Sequence, residues 1–373
     1  MFKYIFWSSL VMLFYTYFGY PLFMAFLLKF KKAKGAVIGN KGLFISIVIA
    51  AYNEEKDIAP KLNGILNSDY PKDKMEIYVI SDCSSDNTDK IVATFADKGV
   101  KLFRLEQRTG KIGGYRKVIP HLKGEIIVFS DATSLLLPNS ISSLVGNFAD
   151  PKVGCTGGLL AYMNPKKAGI GEGENQYWGY ETRIRDMESA LCSLTSVSGT
   201  LYAVRKDLYP LDIKDYLADD LIVPIRVVKA GYRVVLEKKA VCREFTTLNI
   251  DEEMNKRVRI TSQNIRGLID QMDILNPFRY GLYSILVISH KLFRLLVPVF
   301  LIAVFLANCI LMFSSKWYML IMFMQILFYA GAMAGVSNSL FYFCLSNWAI
   351  LLGIARTFKG EKVVTWETMR AED

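Results

Sequence analysis

The sequence predicts an α/β fold: a doubly wound, mostly parallel sheet flanked towards both ends of the chain by membrane-crossing helices. Two observations carry this reading. Between Lys34 and His290, short apolar runs alternate with polar helix starts, which is how strand, crossover helix and strand look in sequence. On either side lie long runs with no charged residue, Tyr4 to Leu28, Leu295 to Ser315 and Trp317 to Ala355. A composition that is 52% apolar and 13% aromatic fits the mixture and argues against a wholly soluble chain.

The first uncharged run exceeds the roughly 20 residues that cross a ~30 Å hydrocarbon core. It has no small-residue cleavage site and is too long for a signal-peptide core, so it is expected to stay as an anchor. LFISIVIAA (43–51) is a buried strand, and the polar segment from Asn53 opens a helix. EIYVISD (76–82) precedes a helix from about Asn87, VKLFRL (100–105) is a third strand, and EIIVFSD (125–131) precedes a helix from about Pro138. Right-handed crossovers between such strands wind the sheet on both faces. Ligands then sit beyond the carboxyl ends of the strands, where Asn53, Glu54, Asp82 and Asp131 fall. Further on, Val197 to Val204 reads as a strand, Ala218 to Lys229 as a helix and Tyr232 to Glu237 as a strand. Asp251 to Met272 reads as a basic amphipathic helix, and residues 278–294 as interfacial.

The net charge is +10. Lys29, Lys31, Lys32 and Lys34 follow the first apolar run, and other basic residues cluster between Lys256 and Arg294. Juxtamembrane bases mark the cytoplasmic side and attract anionic lipid headgroups, so the charge is assigned to the membrane, with no nucleic-acid partner. Cys83, Cys155, Cys192, Cys242, Cys309 and Cys344 have no paired spacing and read as reduced, mostly structural thiols. His121 and His290 stand as lone histidines without metal-ligand company.

Seven motifs then occur in order: AYNEE (51–55), SDCSSDNT (81–88), GKIGG (110–114), SDAT (130–133), SGTLYAVR (198–205), ADDL (218–221) and QNIRG (263–267). The set resembles the family 2 glycosyltransferases, and more narrowly the membrane synthases of the cellulose, hyaluronan and poly-N-acetylglucosamine type. The resemblance spans about residues 44 to 300. It implies a GT-A fold, a nucleoside-diphosphate sugar donor such as a UDP-sugar, a divalent cation (Mg²⁺ or Mn²⁺) and inversion at the anomeric carbon.

By that resemblance Ala51, Tyr52 and Glu54 hold the base and ribose, and Asp82 pairs with the base. Residue chemistry alone leaves helix capping open for Asn53 and Glu54, and a strand-end turn for Asp82. Ser84, Ser85 and Asp86 are read as caps of the next helix. Lys111 lies in what reads as a glycine-rich loop, where its ammonium can offset phosphate charge or simply be solvated. Asp131 matches the first aspartate of a DxD metal motif, and Thr133 stands where the second is usual. Asp220 matches the base that takes the acceptor's hydroxyl proton, with Asp219 as helper; otherwise the pair favours a helix dipole. In QNIRG, Gln263 and Arg266 share a helix face and match a motif whose arginine grips the diphosphate, with Gly267 in place of tryptophan. Arg257, Arg259 and Arg266 are alternatively headgroup contacts. Trp178 and Tyr180 can stack on acceptor sugars or serve as core.

The lysines after the first helix put residues 35–290 in the cytoplasm, where nucleotide sugars are made. The expected organisation is a transmembrane anchor (1–34), a cytoplasmic GT-A catalytic domain (35–250), basic amphipathic and interfacial helices (251–294), a membrane domain (295–356) and a cytoplasmic tail (357–373). Leu340 to Ala355 is short for a span, so residues 338–356 are expected to be re-entrant or interfacial; four literal crossings would instead put the basic tail outside. The function expected is transfer of a sugar to a lipid-linked or growing polysaccharide acceptor at the membrane. Two rivals stay open, a single-addition polyprenyl-phosphate glycosyltransferase and a noncatalytic membrane or transport partner with a nucleotide-binding fold. So few helices leave little room for a polymer channel, which points to a separate export or polymerisation partner.

Overall fold

The computed structural model describes residues 1–31, 39, 42–163, 169–245 and 250–365, with the backbone alone over 169–177. The chain divides into two compact units, one from Ala33–Met163, Cys192–Phe245 and Lys362–Asp373, the other from Met1–Lys32, Asn164–Leu191 and Thr246–Glu361.

The first unit holds one eight-stranded sheet: β1 Ile45–Ala51, β2 Met75–Ser81, β3 Val100–Arg104, β4 Ile126–Asp131, β5 Leu135–Leu136, β6 Val153–Met163, β7 Leu201–Arg205 and β8 Arg233–Phe245. Their order is β3-β2-β1-β4-β7-β6-β8-β5. β1 is parallel to β2 and β4, and β2 is parallel to β3. β7 runs antiparallel to β4 and β6, β6 and β8 are parallel, and β5 is antiparallel to β8.

Every residue of β1 is buried. Successive side chains point to opposite faces, so Ile45, Ile47 and Ile49 join Val79 and Val128 against Ile58, Leu62, Ile65, Ile141 and Leu144. Val48 and Ala50 join Ile80 and Phe129 against Ile112, Tyr115, Val118, Ile222 and Val223. The helices Ile58–Leu66 and Ser140–Gly146 therefore cover one face, and Gly110–Val118 and Asp219–Lys229 the other. Burial on both faces is why ISIVIAA is apolar but for Ser46, whose Oγ donates to Glu76 Oε1, rather than alternating.

Two features of the sheet escape the sequence reading. β6 is read as no element, because its glycines break the apolar pattern; a Cβ on Gly158 would stand 2.7 Å from Ala240 O, so they permit close approach to the chain beside it. β7 begins at Leu201 rather than Val197, after a turn closed by Leu201 N donating to Ser198 O at 3.2 Å.

Among the described residues, the second unit contains four helices long and apolar enough to cross a membrane: Phe2–Phe30, Leu282–Leu311, Lys316–Met333 and Asn338–Phe358. The last is continuous over 21 residues, longer than its uncharged stretch implies, so length does not impose the re-entrant or interfacial placement expected for residues 338–356. The second starts at Leu282, well before Leu295, and takes in most of the segment read as interfacial; only Pro277–Tyr280 stands apart, with Phe278 99% exposed. Lys291 and Arg294, with the polar ring of His290 beside them, disguise this span. His290 is not isolated: Nδ1 lies 2.7 Å from Glu188 Oε1 and Nε2 2.9 Å from Glu181 Oε1. Arg294 Nη1 is 3.4 Å from Glu181 Oε2, and Tyr20 OH donates to Glu188 Oε1 at 2.8 Å. Burial would raise the pKa of Glu181, but His290 and Arg294 outweigh it and hold the carboxyl well below its ordinary value.

The Ile250–Asp270 helix packs on Asn338–Phe358, where a Cβ on Gly353 would stand 2.6 Å from Thr261 Cβ, and the Arg257 guanidinium lies 4.5 Å from the Tyr342 ring centre. His290→Ala strips two buried carboxylates of their shared partner. It is expected to cost about 3–5 kcal/mol, seen as a lower unfolding temperature of the detergent-solubilised protein, with His290→Gln losing less.

Candidate active site

Ala51 pairs with Ser81 and Ala50 with Asp131, so β1, β2 and β4 end at one edge. The chain diverges there to opposite sides of β1, the switch point at which open α/β sheets form a crevice. Ala51 is the buried end of β1. Asn53 has φ of +54°, in the left-handed region that Asn tolerates. Its N–H donates to Ser84 Oγ at 3.2 Å and its Oδ1 accepts from Ser85 N at 2.8 Å, so it links two strand-end turns rather than capping its own helix. Glu54 is 4% exposed; its N–H donates to Thr88 Oγ1 at 2.8 Å and its carbonyl accepts from Ile58 N at 2.9 Å. Asp86 accepts from Thr88 N at 3.0 Å at the start of the Thr88–Ala93 helix, as a cap does.

Asp82, 1% exposed, receives Thr109 N on Oδ1 at 2.7 Å and Gly110 N on Oδ2 at 3.0 Å. It therefore holds the amino end of Gly110–Val118, a favourable place for a carboxylate. This corrects the reading of GKIGG as a loop. Gly110 has φ of +73°, and a Cβ there would collide with Val364 O; on Gly114 it would stand 2.9 Å from Ile80 Cγ2. The glycines seat a helix tightly on β2. Arg108, absent from the sequence reading, stacks its guanidinium 3.6 Å from the Tyr52 ring centre, with Nε 3.9 Å from Asp82 Oδ2. Its one sequence signal is a base beside the glycine motif.

From the first turn of that helix Lys111 reaches the rim. Its Nζ donates to Asp131 Oδ1 at 2.8 Å and to Gly199 O at 3.2 Å. Burial acts to lower its pKa, but Asp131, Tyr115 and Asp219 outweigh it, so the ammonium is held well above the ordinary lysine value. A Cβ on Gly199 would stand 3.6 Å from both Lys111 Nζ and Asp220 Oδ2. Lys111 and Asp220 thus face one small gap that the missing side chain of Gly199 leaves open, with Asp131 bonded to Lys111. Asp219 and Asp220 open the Asp219–Lys229 helix in different surroundings: Asp219 is buried and accepts from Tyr202 OH at 2.7 Å, while Asp220 is half-buried beside Gly199. Burial first, then Asp219, pushes the Tyr202 phenol well above its usual pKa, so it stays a donor.

Trp178, Gln263 and Arg266 belong to the helical unit. Trp178 is half-buried on the Gly169–Leu191 helix, and Gln263 and Arg266 are half-buried on Ile250–Asp270. Arg266 Nη2 donates to Thr357 O at 3.2 Å and Glu361 O at 2.9 Å, tying down the carboxyl end of the last helix. Among the described residues no three of His, Cys, Asp and Glu group as metal ligands. Asp131 offers one rim carboxylate, a third exposed, and Thr133 is exposed beside it. That donor set fits a hard cation sharing one carboxylate with substrate phosphates, not a cage made by protein alone.

A switch-point crevice ringed by carboxylates and a lysine is a ligand site of the open α/β type, and known proteins share its fold. Residues 46–209 match the profile of Glycosyl transferase family 2. The fold is GT-A: a mannosyltransferase from Pyrobaculum calidifontis, solved with GDP-Man and Mn²⁺, superposes over 97% of this chain and 100% of its own with a TM-score of 0.77 at 20% identity. A beta-monoglucosyldiacylglycerol synthase of Trichormus variabilis is 32% identical over 44% of this chain and 36% of its own length. A poly-beta-1,6-N-acetyl-D-glucosamine synthase of Staphylococcus epidermidis is 27% identical over 58% of this chain and 53% of its own. The chain thus spans about a third to a half of the curated relatives it matches.

Asp82→Ala leaves two helix-start N–H groups without their acceptor and is expected to cost about 1–2 kcal/mol. Tyr202→Phe, which takes the hydroxyl from buried Asp219, is expected to cost about 1–3 kcal/mol. Thermal unfolding of each variant checks both.

Proposed function

We propose that this chain moves a sugar, with inversion, from a nucleoside-diphosphate sugar, a UDP-sugar for preference, to a lipid-linked or growing polysaccharide acceptor at the cytoplasmic face of a membrane. The observation that carries the proposal is the gap at Gly199, with Lys111 on one side and Asp220 on the other. On this reading Asp220 takes the proton of the acceptor hydroxyl as its oxygen attacks the anomeric carbon. The bond to the diphosphate breaks on the opposite face, and the configuration inverts. Asp220 rather than Asp219 is the base, because Asp219 is committed to Tyr202 inside the core.

Lys111 offsets the charge gathering on the departing diphosphate from a water-poor site, where such a contact is worth most. Glu54, Asp82 and the Tyr52 ring with its stacked Arg108 line the nucleotide end, Asp82 acting chiefly through the Thr109–Gly110 turn it holds. Asp131 is the ligand for Mg²⁺ or Mn²⁺, which when bound would neutralise the diphosphate. Gln263, Arg266 and Trp178 are assigned to the diphosphate and acceptor side. Lysines after Phe2–Phe30 support a cytoplasmic catalytic domain, and the spans support membrane lipids and a lipid-bound acceptor as partners. A separate protein for export or polymerisation completes the proposal.

The test is release of nucleoside diphosphate from UDP-, GDP- and dTDP-sugars by membranes holding the wild type or Asp220→Asn, with Mg²⁺, Mn²⁺ or EDTA. One donor is expected to turn over with a cation, and Asp220→Asn to slow it by on the order of 10² to 10⁴. No turnover of any donor in the presence of lipid extract would overturn the reading in favour of a noncatalytic partner. A second reading, single addition to a lipid, is favoured by the glycolipid synthase among the relatives; a product of one sugar per lipid rather than a ladder would select it.

A further inference from the structure

We propose that Lys61 is a positioning residue for the transfer reaction, holding from beneath the rim the turn that carries Asp131 and the corner at Gly199. The inference rests on the transferase reading above. Lys61 lies on the Ile58–Leu66 helix and is 1% exposed, on the face that presents Ile58, Leu62 and Ile65 to the core, where helical periodicity calls for an aliphatic side chain. Its Nζ lies 2.6 Å from Ser130 Oγ, 2.6 Å from Ser134 O and 3.1 Å from Ser134 Oγ. Three N–H groups thus meet three oxygens, which uses the donor capacity of an ammonium in full.

Those oxygens lead directly to the site. Ser134 Oγ donates to Asp131 O at 2.9 Å, and Ser130 Oγ donates to Thr200 O at 2.8 Å. Thr200 follows Gly199, whose carbonyl receives Lys111 and whose bare Cα faces Asp220. One buried ammonium therefore fixes the main chain on both sides of the gap.

The fold alone gives no reason for a charge here. All three acceptors are neutral, and burial lowers the lysine to about 8 against the opposing pull of Cys242, Asp131 and Glu244, so the folded state disfavours a charge it still carries at neutral pH. A methionine of similar length would fill the same space without that cost, and Ser130 Oγ and Ser134 Oγ, 3.1 Å apart, can bond each other. A group that weakens the fold while bracing reactive residues is the pattern expected where stability has been given up for activity.

The test uses the full chain in detergent or nanodiscs. Lys61→Met and Lys61→Gln are compared with the wild type for unfolding temperature, and for kcat and KM with whichever nucleotide sugar the wild type turns over. The expected result is an unfolding temperature for Lys61→Met equal to or above the wild type, with kcat lower by on the order of 10- to 100-fold. Lys61→Gln, which keeps N–H donors one bond short of the Nζ position, is expected to recover part of the loss. Wild-type kcat in Lys61→Met would overturn the proposal, as would a lower unfolding temperature with turnover per folded molecule intact, the signature of a merely structural lysine. Should Lys61→Met not fold, Lys61→Gln is judged by the same two measurements. Diphosphate release by the wild type decides the transferase reading separately, so an unaffected Lys61 variant leaves that reading standing.

Discussion

Strand β1 has a partner on each edge and a layer of helices on each face, so all seven of its residues are buried. A polar side chain along such a strand must find a buried partner, as Ser46 does by donating from Oγ to Glu76 Oε1 at 2.6 Å. The first positions free of that constraint are those just past its carboxyl end, and because β2 and β4 are parallel to it and in register, their first free positions lie at the same edge. Tyr52, Glu54, Asp82 and Asp131 are brought to one rim by the burial of the strands beneath them. The turns are then joined across that rim, Asn53 to Ser84 and Ser85, and Glu54 to Thr88, so the edge is set by hydrogen bonds between loops as well as by the sheet.

The same constraint explains what could be read from the sequence. Strands buried on both faces are continuous apolar runs, and their polar ends are abrupt, so β1, β2 and β4 and their rim carboxylates were legible to within a residue or two. The adjacent aspartates at 219 and 220 were legible as a pair with different assignments, but the contact that separates them was not, because it comes from Tyr202 on β7. Glycine carries no sign of whether it gives freedom or close packing, which is why GKIGG reads as a loop although Gly114 seats a helix on Ile80. Lysine on an otherwise apolar helix face reads as a solvated interruption, and nothing local tells that Ser130 and Ser134 wait to receive Lys61. The helical unit shows the same limit in reverse. His290 and Arg294 mark the end of a hydrophobic run only while their partners, Glu181 and Glu188 more than a hundred positions earlier, are out of view; with those carboxylates in place the helix runs on through both.

The rim also has an electrostatic order that follows from these placements. Asp131 is flanked by two lysines of different kinds: Lys111 bonds its carboxylate directly, and Lys61 lies behind it, holding only neutral oxygens of the same turn. With Lys111 on Asp131 the pair is self-neutralised although partly open to water, a resting state that asks nothing of a ligand. On the proposed reading a diphosphate draws Lys111 towards itself, and the Asp131 oxygen that loses its ammonium becomes a free acceptor in a partly dehydrated place. Lys61 cannot follow, since its three donors are engaged below. The exposed carboxylate is then best satisfied by a second positive charge arriving with the donor, so donor and cation favour each other's binding by the same factor, as linkage requires. A metal motif with one carboxylate, Asp131, and Thr133 where a second would be usual is consistent with that economy: a carboxylate freed only when the phosphate is present has no need to hold an ion in its absence.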